Sequence, residues 1–192
     1  MRVTVCGIGT IGANLIEHLA RQAQPGDVLR VIDFDKVEAA NLLNQPWQRH
    51  QIGHPKTRAL DELVARFSGA SVETVQKRLT SENAARLLGE SDIVIDAFDN
   101  REARAAVSEA CRAAALPCIH AGLHPSGYAE VVWDERYTAP EADGTDACAL
   151  RQARSLSLLA VAAVARVIER WRSDGTKISY TITSGDLQIS PM

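Results

Sequence analysis

The sequence predicts an α/β fold: a Rossmann-like, mostly parallel sheet with helices on both faces and a C-terminal antiparallel extension. Three observations carry this. Short apolar runs alternate with amphipathic, helix-length segments from residue 3 to residue 121, the pattern of a parallel sheet covered on both faces. The first run passes into Gly7-Ile8-Gly9-Thr10-Ile11-Gly12, a G-x-G-x-x-G turn, and the acid Asp33 follows at the spacing of about 20 residues expected of a nucleotide-binding unit. After Gly122 the alternation of strand and helix gives way to a different order.

Residues 3–6 form the first strand, and a helix follows the glycine turn through about Arg21. In such a turn the first glycine permits the tight bend, the second lets phosphate approach the backbone, and the third lets helix and strand pack closely. The helix N-terminus then favours an anion. Residues 28–33 form the second strand. Leu60, Leu63, Val64 and Phe67 have the spacing of an amphipathic helix over residues 56–67. Residues 72–75 form a third strand, and residues 81–88 a short helix with Ser81 as its N-cap. Residues 93–97 form a continuous apolar strand, followed by a helix over 101–115 that Pro117 stops, and then a fifth strand over 118–121.

Residues 127–133 read as a sixth strand, for which an antiparallel course is one reading. Residues 138–149 form a polar loop. The helix over 151–171 is apolar nearly all round its middle and is therefore largely buried. Residues 178–183 and 187–189 alternate as a hairpin around Ser184-Gly185-Asp186. No repeat or boundary interrupts the chain, so one domain over residues 1–192 is expected.

The 192 residues suffice for a substantial core, and a net charge of −3 gives no basic footprint for nucleic acid. The longest apolar run, residues 156–168, is broken only by Ser157 and Arg166. It is too short for a membrane span. The sequence opens directly on a strand, which leaves no room for a signal peptide. Cys6, Cys111, Cys118 and Cys148 form no C-x-x-C pair. A cytoplasmic, reduced protein without zinc is the simplest expectation. Cys6 and Cys118 fall in strands and are expected in the core. His120 and His124, at the end of the fifth strand, lie near the C-terminal edge of the sheet where a ligand would sit, and read as polar loop residues rather than ligands.

The stretch from Val31 to Lys56 concentrates the chemistry. The second strand ends on Asp33 and Asp35, and Gly53-His54-Pro55-Lys56 opens a helix. An acid in that position holds a ribose, and a lysine at a helix start neutralises phosphate. Each residue alone would also fit a solvated turn. Together they suggest phosphate chemistry beyond dinucleotide docking.

Four motifs fall in one order: G-x-G-x-x-G, D-x-D followed by N-L-x-x-Q, G-x-P-K, and D-x-x-D-N-x-x-x-R from Asp96 to Arg104. This order resembles the ubiquitin-activating superfamily in its ThiF/MoeB/HesA branch, clearly over residues 1–135 and loosely beyond. The resemblance implies ATP-dependent adenylation of the C-terminal carboxylate of a small ubiquitin-like or sulfur-carrier protein. It implies that Gly7, Gly9 and Gly12 cradle the nucleotide and that Asp33, with Asp35 beside it, serves the ribose end. Asn41 would contact phosphate or hold the loop. Lys56 would stabilise phosphate charge, and Asp99 would hold Mg²⁺ directly or through water. Asp99-Asn100 would equally cap the next helix, and Arg104 would equally pair with a carboxylate.

The sequence departs from this family in three places. The arginine of the family's N-L-x-R-Q is Asn44 here, with Arg49 a few residues on as a replacement. The family's helix ahead of the first strand, with an arginine contributed across a dimer, is not in this sequence. The paired C-x-x-C zinc motifs are missing. Cys148, in T-D-A-C-A-L, matches a context in which family members carry a reactive cysteine. It equally suits a small residue in a crossover loop. The implied partners are the carrier protein and a second subunit, as a homodimer or a heterodimer with a homologue, with no nucleic acid and no membrane. Two other functions fit the motifs less fully. One is a catalytically weakened, ATP-binding partner subunit. The other is an NAD-dependent oxidoreductase, against which Lys56 and the D-x-x-D-N motif argue.

Overall fold

Val5, Cys6, Ile93, Val94 and Ile95 are sealed from solvent, because their two strands lie side by side in the middle of an eight-stranded sheet. The computed structural model describes residues 1–68, 72–139, 153–183 and 188–192. Strands β1 (Arg2–Cys6), β2 (Val28–Ile32), β3 (Val72–Val75), β4 (Ile93–Asp96) and β5 (Cys118–His124) alternate with helices α1 (Thr10–Gln22), α2 (Lys56–Ala65), α3 (Ser81–Leu88) and α4 (Arg101–Ala113). Strand β6 (Tyr128–Trp133), helix α5 (Ala153–Asp174) and strands β7 (Tyr180–Thr183) and β8 (Ile189–Pro191) complete the chain. The strand order is β3-β2-β1-β4-β5-β6-β7-β8.

Pairing is parallel from β3 to β5, with Val5 opposite both Val31 and Ile95. It is antiparallel from β5 to β8. This matches the predicted fold class, including the antiparallel course of β6. Successive strand residues point to opposite faces, and two cores result. Val5, Val31 and Ile95 pack with Leu15 and Ile16 of α1, Leu60 of α2 and Leu156 and Val164 of α5. Cys6, Ile32, Val94 and Cys118 pack with Leu88 of α3 and Val107 and Cys111 of α4. Among the described residues no helix is long and apolar enough to cross a membrane.

Several boundaries differ from expectation. Thr80, not Ser81, is the N-cap of α3, and the Asn83 side chain accepts its N–H at 3.0 Å. Helix α2 stops at Ala65 rather than residue 67, and α4 at Ala113, with Ala115 in the left-handed region at φ 51°. Strand β5 runs three residues further than predicted, to His124, because β6 pairs with it along its whole length up to His124↔Tyr128. His120 is therefore a buried strand residue and not a loop residue. Most of the polar loop, Cys148 within it, and the turn at Ser184-Gly185-Asp186 lie outside the described residues.

A cavity of about 340 Å³ opens at the N-terminal end of β1, lined by Val3, Leu19, Ile168, Asp27 and Arg172 among others. It lies at the opposite end of β1 from the glycine turn. Its charged groups pair with each other, Arg172 Nη1 standing 3.0 Å from Asp27 Oδ2, so it offers a packing defect rather than a reactive centre. Burial pushes the Asp27 carboxyl up. The Gln24 N–H, the N-terminal ammonium and Arg172 outweigh burial and bring it down to about 2 from 3.8. A carboxyl lowered in the folded state stabilises above its unfolded pKa and loses that contribution as pH falls through the folded one. Asp27→Asn is therefore expected to lower stability at pH 7, by an amount that solvent screening of the exposed Arg172 partner reduces. In urea unfolding, the gap to the parent should close as pH falls from 3.8 to about 2. Equal midpoints at pH 7 would contradict the assignment.

Candidate active site

The C-terminal ends of β1, β2 and β4 meet where the strand order reverses, the position at which open α/β sheets bind ligands. The glycines of the first turn have separate reasons. Gly7 adopts φ +83° and donates its N–H to Ile32 O at 2.9 Å. A Cβ on Gly7 would lie 2.9 Å from the Phe98 ring, and one on Gly12 would lie 1.9 Å from Gly7 O. Gly9 faces open space, with nothing within 4 Å of its would-be Cβ. It precedes α1 without a capping side chain, and the first turn carries no acid. A helix N-terminus without a capping side chain or an acid in its first turn is suited to an anion through its dipole.

Asp33 is 4% exposed. Its Oδ2 accepts the Ile8 N–H and its Oδ1 the Asp35 N–H, both at 2.7 Å. Burial pushes its carboxyl above the ordinary value, against the pull of Lys56 and these two donors. The predicted ribose acceptor thus also pins the glycine turn, and it keeps further lone pairs for a ligand. Asp35 has a different task. Its Oδ2 lies 3.2 Å from Lys56 Nζ, and the lysine side chain is 8% exposed against 47% for the aspartate. The backbone explains why the two motifs travel together. Lys36 bridges to Pro55, the Val37 N–H bonds to His54 O, and the Lys56 N–H bonds to Asp35 O.

Asn41 holds its loop: its side chain accepts the Glu38 N–H at 2.9 Å, and its carbonyl accepts the Gln45 N–H at 2.9 Å. The Asn44 carbonyl accepts from Asn14 Nδ2 at 3.3 Å and from Arg154 Nη1 at 3.1 Å. The cation that the fold brings to Asn44 is therefore Arg154, at the start of α5. Arg49 stands exposed in the short turn Arg49–Gln51. No local spacing could have found Arg154, which is 110 residues from its partner.

At the end of β4 the two acids of D-x-x-D divide the work. Asp96 is fully buried and accepts the Phe98 N–H at 3.1 Å. Asn100, not Asp99, caps α4 by accepting the Ala103 N–H at 2.9 Å. Asp99 is left exposed beside the glycine turn's neighbours Ala97 and Phe98, with its charge acting on Arg104. Arg104 pairs with a carboxylate, as one reading allowed. Its Nη1 lies 3.6 Å from Asp96, and its Nη2 donates to Ala121 O at 2.8 Å. Cys6 and Cys118 are core residues, as expected. Burial raises both thiols, for Cys118 after its bond to Cys111, so neither is an exposed nucleophile.

Comparison with known proteins agrees with this geometry. The chain is 34% identical over 125 residues to the SAMP-activating enzyme E1 of Haloferax volcanii, a match covering 64% of this chain and 46% of that one. It is 34% identical over 124 residues to the sulfur carrier protein adenylyltransferase of Thermus thermophilus, covering 64% and 45%. The match therefore spans under half the length of these relatives. In fold, the chain superposes on Escherichia coli MccB with a TM-score of 0.79 at 19% identity, covering 100% of this chain and 61% of that one. It superposes on the E. coli tRNA N6-threonylcarbamoyladenosine dehydratase TcdA, solved with AMP, with a TM-score of 0.69 at 20% identity, covering 90% and 87%. The ThiF family model matches residues 1–168, and the chain belongs to the ThiF family.

Proposed function

We propose that this protein binds ATP with Mg²⁺ and adenylates the C-terminal carboxylate of a small ubiquitin-like or sulfur-carrier protein. One observation carries the reading: the uncapped N-terminus of α1, the buried Lys56 ammonium and the exposed Asp99 carboxylate converge on one edge of the sheet. The two relatives named for activating or adenylating carrier proteins support it. In this reading the backbone N–H groups after Gly9 bind phosphate oxygens, and the free lone pairs of Asp33 accept the ribose hydroxyls. Lys56 keeps two donors beyond its contact with Asp35 and turns them to the phosphates. Mg²⁺ held at Asp99 supplies further charge neutralisation. Attack of a carboxylate on the α-phosphate needs fixed positive charge and alignment more than a protein nucleophile. Arg154 and Asn44 border the same turn. The carrier protein is the partner, and a homodimer or a heterodimer with a homologue is the assembly proposed.

Pyrophosphate exchange tests the site. Lys56→Ala and Asp99→Ala should each lower ATP–pyrophosphate exchange by about 100-fold or more, with circular dichroism unchanged. Cys148→Ala should leave adenylate formation intact and remove only a later thioester or sulfur step. Wild-type exchange rates in both Lys56→Ala and Asp99→Ala would sink the catalytic assignment.

Nucleotide choice is a separate prediction. ATP with Mg²⁺ should raise the melting temperature more than NAD does, because only a ligand of the folded state stabilises it. The reverse order would return the oxidoreductase reading.

Asn44, uncharged where related enzymes carry an arginine, favours one second reading, that of a weakened partner subunit. Asn44→Arg should raise exchange if charge at this turn limits the reaction. It should have no effect if Arg154 already supplies that charge. A wild type that binds ATP but exchanges with no carrier protein would establish the partner-subunit reading instead.

A further inference from the structure

A cluster of polar side chains lies inside the second core, and the adenylation reading does not use it. Cys118 and His120 are two residues apart in β5 and so share a face. Ile119 pairs with Trp133 at the end of the antiparallel ladder, and Asp134, the first residue of the short 3-10 turn after β6, follows beside Cys118 and His120. His120 is 1% exposed, Cys118 2% and Asp134 6%. The Asp134 Oδ1 lies 2.9 Å from His120 Nε2, the Cys118 Sγ lies 3.6 Å from the same nitrogen, and the three atoms lie within 4.8 Å of one another.

From this arrangement we propose that Cys118, His120 and Asp134 form a buried site for a thiophilic divalent cation of the zinc class. Sulfur, imidazole and one carboxylate oxygen are the ligand types such an ion takes. Bonds of about 2.0–2.3 Å in a tetrahedron put neighbouring ligand atoms roughly 3.3–3.7 Å apart. The 3.6 Å between Cys118 Sγ and His120 Nε2 falls in that range, and the 2.9 Å contact of Nε2 with Asp134 opens slightly to admit an ion. The surroundings match as well. His120 Nδ1 faces Asp96 Oδ2 at 2.7 Å, the carboxylate–histidine arrangement that orients a metal-binding imidazole. Ser108 Oγ donates to the same Asp134 Oδ1 at 2.6 Å, and Arg112 Nε holds Oδ2 on the other side at 2.6 Å. Tyr137 stacks on the His120 ring at 3.6 Å between centroids and covers the site.

Both ring nitrogens of His120 face carboxylate oxygens at contact distance. With Nδ1 turned to Asp96, a cation at Nε2 that also takes Cys118 as thiolate would take the place of the proton that otherwise bridges Nε2 and Asp134. Binding then releases one proton from the thiol and one from the Nε2–Asp134 contact for each divalent ion, so the buried charge is unchanged. The guanidiniums of Arg104 and Arg112 balance Asp96 and Asp134 in either state. The expectation of no zinc rested on linear C-x-x-C spacing. The strand register assembles this ligand set from residues that no such motif joins.

The site would act structurally. Asp96 touches both His120 and the Phe98 N–H, so the cation would stiffen the strand end that presents Asp99. The proposal does not depend on the adenylation reading, and its test uses no nucleotide. The 192-residue protein is stripped with a chelator and titrated with Co²⁺. The expected result is a near-ultraviolet thiolate-to-cobalt band that saturates at one equivalent, with Zn²⁺ competing it away. Cys118→Ser should abolish the band, and Asp96→Asn should weaken binding about 10- to 100-fold. Cys148→Ser should leave the band intact. Absence of a thiolate–cobalt band in the wild type overturns the proposal even if the variants fail to fold. The same band in folded Cys118→Ser overturns it too.

Discussion

The Asp33 carboxylate joins the two halves of the candidate active site. One oxygen holds the N–H of Ile8 in the glycine turn, and the other holds the N–H of Asp35, whose side chain in turn holds Lys56. The glycine turn and the lysine ammonium are therefore positioned by one buried group. Charge-assisted bonds to backbone N–H groups are about twice as strong as neutral ones. They also leave no freedom of register between β1 and β2 at this edge. Replacing Asp33 by a shorter residue would orphan two backbone donors and release the lysine at the same time. Stability and site geometry cannot be separated at this position.

The central parallel strands were legible because burial on both faces makes them apolar runs, as in β4 over Ile93–Asp96, where all four positions are buried. Strand β3 lies at the edge with only Val72 buried, and its β-branched Val72, Thr74 and Val75 mark it instead. Strand β5 was harder. Its last three residues, Gly122, Leu123 and His124, owe their extended form to pairing with β6, and a partner supplied from elsewhere leaves no local signal. His120 was misjudged for the same reason. Its burial follows from Asp96, Asp134 and Tyr137, each brought in by a different element.

The site was legible where chemistry is local and obscure where it is assembled. Glycines 7, 9 and 12, Asp33, Lys56 and Asp99 stand in short motifs whose spacing is set by a turn or a helix start. The division of labour between Asp96 and Asp99 was not visible, because both end the same run. Only burial separates the acid that shapes the loop from the acid that faces outward. Asn100 settles the second ambiguity by taking the helix cap itself. Arg154 reaches Asn44 from the other end of the chain, and only the fold could supply it.

Helix α1 begins on a glycine that caps nothing. A serine, threonine or aspartate in that place would ordinarily contribute about 1 kcal/mol to a helix. The protein forgoes this, and the space beside Gly9 is open. Under the proposed function, a phosphate-bearing molecule would complete the helix as a side chain does elsewhere, so that substrate would stand as the missing residue of α1.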